Sequence, residues 1–328
     1  MLEHGGKLGT AAAQFGRPPD DWIDLSTGLN PHGYPVPPLD ARAWHRLPEI
    51  DPALLAAASN YYGARHLLAV AGTQAAIQAL PTLRAPSRVV VAAPSYSEHA
   101  HHWSRHGHSM REVPYDALDG AIGTCDVLVL CNPNNPTGAR VARALLLDWA
   151  AQLSARGGWL VVDEAFADTA PDLSVAADTG RPGLIVLRSV GKYFGLAGIR
   201  AGFVAADRCL LLLLADALGP WTVSGPAQLI CRAALADRQW QAATCAQLGK
   251  AGARLHGLLL EHGIAARGCP LFQWWPEARP EVFHYHMAER GIWVRLFRTA
   301  ARGIRLGLPP DERSWQHLAQ ALHQWRSE

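Results

Sequence analysis

A lysine at position 192 stands in Arg188-Ser189-Val190-Gly191-Lys192-Tyr193-Phe194-Gly195, a stretch poor in charge and rich in glycine and aromatic rings. Desolvation in such company favours a neutral amine, the form that attacks carbonyl carbons. A little further on, Gly198-Ile199-Arg200-Ala201-Gly202 sets an arginine among small residues, a fit for bidentate contact with phosphate. Upstream, Asp163-Glu164-Ala165-Phe166 puts a carboxylate where an apolar run ends, although an aspartate there also serves as a helix cap. Asn132-Pro133-Asn134-Asn135-Pro136-Thr137-Gly138 reads as a rigid turn that holds an asparagine amide in one place, or as a stiff loop with no ligand. Gly72-Thr73-Gln74 opens an alanine-rich helix and offers free N–H groups to an anion; the same glycine is equally an ordinary tight turn.

These residues follow short apolar runs at 67–71, 88–93, 126–131, 159–162, 184–188 and 202–205, rich in β-branched side chains and near-continuously hydrophobic. Strands covered on both faces have that composition, so a largely parallel sheet flanked by helices is expected, with ligands at the carboxyl ends of its strands. Residues 1–40 are rich in glycine and proline and predict an extended arm. A helical pattern occupies 51–62, and long helical segments at 226–237 and 240–262 lead into mixed sequence. The expected division is an arm (1–40), a large domain (41–220) and a smaller α/β C-terminal domain (221–328).

The 328 residues, 49% hydrophobic and 18% charged, suffice for a large core. A formal net charge of +2 with no basic run argues against nucleic acid as a partner. No metal is expected. The cysteines Cys125, Cys131, Cys209, Cys231, Cys245 and Cys269 lack zinc-ligand spacing and read as buried thiols in a reducing compartment. The histidines His99, His101, His102, His106 and His108 match no metal motif and read as a partly exposed helix start. Neither Gly191-Lys192 nor Gly249-Lys250 is followed by the Ser or Thr of a P-loop. The start MLEHGGKLGT lacks a secretory pattern, and the apolar run near 210–214 is far short of the ~20 residues that cross a bilayer. A cytoplasmic location is the expectation, with no membrane partner.

The order of these motifs resembles fold-type I enzymes dependent on pyridoxal 5′-phosphate (PLP), in the class I/II aminotransferase superfamily, with NPNNPTG, DEAF and the SxxK…GIRAG pair as its core. The resemblance implies that Lys192 carries the cofactor and moves protons at the substrate carbon, and that Asp163 pairs with the pyridine nitrogen. Asn135 would bond the ring 3′-oxygen and Tyr96 would stack on the ring. Gly72, Thr73, Ser189 and Arg200 would hold the phosphate. Arg305, in Gly303-Ile304-Arg305-Leu306, matches the family's arginine for the substrate carboxylate.

Two positions depart from the superfamily pattern. Phe166 stands where a tyrosine usually donates to the 3′-oxygen, and Leu47 where a tyrosine usually reaches the partner subunit's cofactor phosphate; a homodimer is still implied. The arm, with His4-Gly5-Gly6-Lys7 and Ser26-Thr27-Gly28-Leu29-Asn30-Pro31, resembles the branch that decarboxylates threonine phosphate for cobalamin biosynthesis. Phe166 and Pro220-Trp221-Thr222-Val223-Ser224 fit the same branch. It implies conversion of L-threonine O-3-phosphate to (R)-1-amino-2-propanol O-2-phosphate, with His4, Gly5, Asn30 and Arg305 on this small phosphorylated substrate. The alternatives are a histidinol-phosphate-type aminotransferase and a non-catalytic binding module on the same fold.

Overall fold

The computed structural model describes the backbone of residues 5–327 and the side chains of residues 5–325. Its strands are β1 Ile23–Leu25, β2 Leu67–Val70, β3 Arg88–Ala93, β4 Ser109–Pro114, β5 Val127–Cys131 and β6 Trp159–Asp163. After these come β7 Leu184–Ser189, β8 Gly202–Ala205, β9 Arg267–Cys269, β10 Phe272–Trp275, β11 Ile292–Phe297 and β12 Gly303–Gly307. By contacts the chain divides into a larger unit, Gly33–Asn134 with Ala139–Ala243, and a smaller one, Met1–His32 with Asn135–Gly138 and Thr244–Glu328.

The larger unit is built on a seven-stranded sheet in the order β2-β8-β7-β6-β5-β3-β4. Every residue of β5 and β7 is buried, which is why β5 and the first four residues of β7 read as unbroken apolar runs. β3 to β7 pair in parallel, while β8 runs antiparallel to both neighbours. The edge strand β4 escapes sequence prediction because five of its six residues are exposed or half-buried and its letters, SMREVP, carry no apolar run. Valines and leucines of one face pack with Ile77, Leu80, Trp103 and the buried leucines of the helix Arg208–Leu218. That helix starts at Asp207, whose carboxylate accepts from the N–H groups of Cys209 and Leu210.

The smaller unit holds a five-stranded sheet, β1-β11-β12-β10-β9. The expected extended arm contains regular structure. Leu8–Phe15 is a helix closed by Gly16 at φ 63°, and β1 pairs in parallel with β11, Asp24 opposite Trp293. An alanine-rich stretch between glycines is enough for the helix, and only a distant strand makes β1 one.

The contacts also divide the chain differently from the boundary at 220. The helix Gly225–Ala236 packs on Pro52–Tyr62 in the larger unit, and Gln228 accepts from the Asp51 N–H at 2.8 Å and donates to the Glu49 carbonyl at 3.1 Å. The turn Asn135–Gly138 belongs with the smaller unit. A Cβ at Gly138 would stand 2.4 Å from the Cα of Gly268, so only glycine lets these backbones meet. Among the described residues no helix is long and apolar enough to cross a membrane.

Candidate active site

Parallel pairing delivers chemistry to one edge of the large sheet. β2, β3, β5, β6 and β7 end beside Gly72, Tyr96, Asn132, Asp163 and Ser189 respectively. β8 runs the other way, so Arg200, just before it, reaches the same edge from its amino end.

Gly72 and Arg200 form a close pair. Gly72 has φ 72°, and a Cβ there would stand 2.6 Å from Arg200 Nη2. Arg200 itself is left-handed at φ 52°, with Nη1 donating to the Ala197 carbonyl at 3.1 Å. Thr73 follows Gly72 as the first residue of the helix Thr73–Ala79, and the buried Ser189 Oγ accepts from the Gly191 N–H at 3.1 Å.

Asp163 is buried with two distinct partners. Its Oδ1 accepts from the Ala165 N–H at 3.0 Å, and its Oδ2 lies 3.0 Å from His99 Nε2. Burial opposes charge on His99, but hydrogen bonding to Asp163 and Cys131 outweighs it and lifts the imidazole to about 10. His99 is therefore an imidazolium at neutral pH, and its Nε2–H donates to Asp163 Oδ2. The helix Ser97–Arg105 is the partly exposed helix expected around these histidines; within the cluster His99 and His108 are buried, and His108 Nε2 bonds the Pro81 carbonyl at 2.9 Å. His99, Cys131 and Asp163 bring ligand-type atoms within 4.8 Å of one another, a contact already used by the His99–Asp163 hydrogen bond. Two of the cysteines expected to be buried, Cys209 and Cys245, are exposed.

Lys192 is half-buried, with Nζ 5.6 Å from the centroid of the buried Phe166 ring. The residue that departs from the usual tyrosine thus faces the lysine. Leu47, the other departure, is 67% exposed. Behind the site, Arg188 bridges Glu164 at 2.7 Å and Asp168 at 2.8 Å, all three sealed from water. Burial works against all three charges, and at Arg188 the two carboxylates prevail and hold its proton more tightly than usual. Asn132 is likewise saturated: its amide exchanges bonds with the Val141 backbone at 2.9 and 3.0 Å.

In the smaller unit, Arg305 is 6% exposed on β12. Its Nη1 donates to the Asn135 amide oxygen and its Nη2 to the Ser26 carbonyl at 2.8 Å. Neither acceptor carries a charge, and Nε has no partner among the described residues. Burial first, and then the neighbouring Arg295, pull this guanidinium down to about 10. Arg295, on β11, sits in register with Arg305; in sequence it is a lone arginine in an apolar run, Ile292–Phe297, with no motif around it.

Gly5 closes on the same carbonyl that Arg305 grips, since a Cβ at Gly5 would stand 2.6 Å from Ser26 O. The Gly6 N–H donates to Ser26 Oγ at 2.8 Å. Asn30 is buried and turns back on its own backbone, accepting from the His32 N–H at 2.9 Å. It lines a cavity of about 770 Å³ with Asp24, Thr27 and Arg290. His4 lies outside the described residues.

The residues of the large sheet edge fit PLP. A cradle at Gly72 that any Cβ would fill lies against a guanidinium, a buried carboxylate with its own cation suits a protonated ring nitrogen, and an amine sits on an apolar ring. A mostly parallel sheet with this edge is the fold of the fold-type I PLP-dependent enzymes. The chain belongs to the aminotransferase class I and II family, which it matches over residues 20–322. It is 50% identical to the threonine-phosphate decarboxylase of Pseudomonas aeruginosa over 323 residues, 98% of this chain and 97% of that protein. It is 42% identical to the threonine-phosphate decarboxylase of a Sinorhizobium species over 331 residues, with the same coverage, 98% and 97%. Among solved structures, the histidinol-phosphate aminotransferase from Sinorhizobium meliloti in complex with pyridoxal-5′-phosphate has TM-score 0.82 at 20% identity, covering 99% of this chain and 95% of that one.

Proposed function

We propose that this chain is a PLP-dependent carboxy-lyase that converts L-threonine O-3-phosphate to (R)-1-amino-2-propanol O-2-phosphate and carbon dioxide, in cobalamin biosynthesis. Arg305 carries this assignment: a buried cation whose acceptors are uncharged, with Arg295 opposite, suits a substrate bearing two anionic groups. The relative at 50% identity over almost the whole chain supports the decarboxylase, whereas the histidinol-phosphate aminotransferase likeness at 20% supports the fold alone.

PLP, when bound, supplies an electron sink for the pair released at Cα. Lys192 holds it, and after carbon dioxide departs the Lys192 ammonium delivers a proton to Cα. Asp163, hydrogen-bonded to His99, would meet the ring nitrogen, and Asn135 the 3′-oxygen. Tyr96 would lie against the ring, while Gly72, Thr73, Ser189 and Arg200 would hold the phosphate. His4, Gly5, Asn30 and Arg305 hold the substrate's anionic groups. Only a Cα bond perpendicular to the ring's π system is weakened, so residues that fix the carboxylate out of plane select decarboxylation over loss of the Cα proton. The chain works as a homodimer in the cytoplasm.

Purified protein given PLP and L-threonine O-3-phosphate, with no keto acid, is expected to release carbon dioxide. A requirement for 2-oxoglutarate, with glutamate as product, assigns it instead to the aminotransferases. A non-catalytic module is separated by the visible absorption of the PLP-loaded protein, which should be present and should vanish in Lys192→Ala.

A further inference from the structure

Tyr96 Oη donates to Gln74 Oε1 at 3.2 Å, Gln74 Nε2 donates to Glu98 Oε2 at 2.7 Å, and His102 Nε2 meets the same Glu98 oxygen at 3.1 Å. This chain of side chains runs from the ring proposed to lie on the cofactor out to a histidine near the surface. Glu98 is its charged centre, 8% exposed in the first turn of the helix Ser97–Arg105. A carboxylate there would satisfy the helix end from solvent equally well. Burial with two side-chain partners is more than capping requires.

The order of donors follows from the carboxylate. A carboxylate only accepts, so the Gln74 end that faces Glu98 must be its NH₂. The amide oxygen is thereby turned to Tyr96, whose phenol must donate. Burial, with Glu98 and Asp163 adding to it, raises Tyr96 well above an ordinary phenol, so the donor keeps its proton. Gln74 also follows Thr73 directly, so the same carboxylate is tied to the phosphate-contacting segment.

We infer that Glu98 is a positioning residue which, through Gln74, fixes the Tyr96 ring over the cofactor. The inference rests on the proposed place of Tyr96 against PLP, and it is tested by one readout that needs no cofactor and one that does. In cofactor-free crystals of Glu98→Ala, the Gln74 amide should leave the Tyr96 hydroxyl and the ring should turn from its wild-type position. In solution, Glu98→Ala should weaken PLP binding by about tenfold in the wild-type background and by less than about twofold in Tyr96→Phe, because the phenol is the link. An unmoved Tyr96 in the crystal, or equal weakening in both backgrounds, overturns the inference. Should Glu98→Ala not fold, Gln74→Ala breaks the chain at its middle: the Tyr96 ring should turn and PLP binding should weaken by the same factors, and an unmoved ring or equal weakening in both backgrounds overturns the inference. A wild-type protein that binds no PLP defeats the functional assignment, while the crystal comparison still decides the positioning.

Discussion

His99 Nε2 stands 3.0 Å from Asp163 Oδ2, with both side chains withdrawn from solvent at the carboxyl end of β6. His99 is lifted to about 10 from an ordinary 6.5, so the folded chain binds its proton more tightly than the unfolded chain. The stabilisation is fully present below about pH 6.5 and is lost as pH rises through about 10. Cofactor-free protein should therefore lose thermal stability between pH 7 and 10, and His99→Asn should flatten that slope. Nitrogen NMR that finds His99 neutral at pH 8 would sink the ion pair.

Gly72→Ala places a methyl group against Arg200 and forces a side chain into φ 72°, ψ 157°. The backbone strain is expected to cost on the order of 1–3 kcal/mol in unfolding experiments. The guanidinium is flexible and will shift, so PLP should bind roughly tenfold more weakly or worse. Wild-type PLP affinity in this variant would remove Arg200 from the phosphate site.

Arg305→Met removes a cation whose burial is not offset, among the described residues, by any carboxylate in contact with it. Activity on L-threonine O-3-phosphate should fall about 30- to 1000-fold in kcat/KM, corresponding to about 2–4 kcal/mol of lost charge-assisted binding. The ligand-free melting temperature should hold or rise, because the uncompensated charge is gone. A lower melting temperature with kcat/KM intact would make Arg305 a structural residue.

Arg188→Met leaves Glu164 and Asp168 buried without their shared counter-charge. Urea unfolding should report a loss of about 3–5 kcal/mol. Neutralising the pair as well, with Glu164→Gln and Asp168→Asn, should recover most of it. A triple variant no more stable than the single one would show that shape, not charge, sets the loss.

Much of the large sheet was legible because five of its strands are sealed on both faces or nearly so, and burial writes itself as uninterrupted Val, Leu and Ile. β4 was not, since its residues mostly face water. The direction of β8 was also hidden, because an apolar run reads the same whichever way it is paired. The arm's helix and β1 were missed among glycines and prolines. In β1 the three residues become a strand through pairing with Ile292–Phe297, which no local pattern announces.

The residues of the candidate site divide along the same line. Lys192, Asp163, Asn135 and Arg200 follow one another in an order tied to successive strands, so chain order alone identified them with a family. His99, Arg295 and Glu98 carry no motif. His99 acquires meaning only because β6 brings Asp163 to it, Arg295 because β11 and β12 lie in register, and Glu98 because Gln74 comes from another helix. Sequence determined which groups are candidates for the chemistry, because their types and local turns are short-range properties. Tertiary structure decided which charges face them, because burial and Coulomb interactions depend on distance through space rather than along the chain.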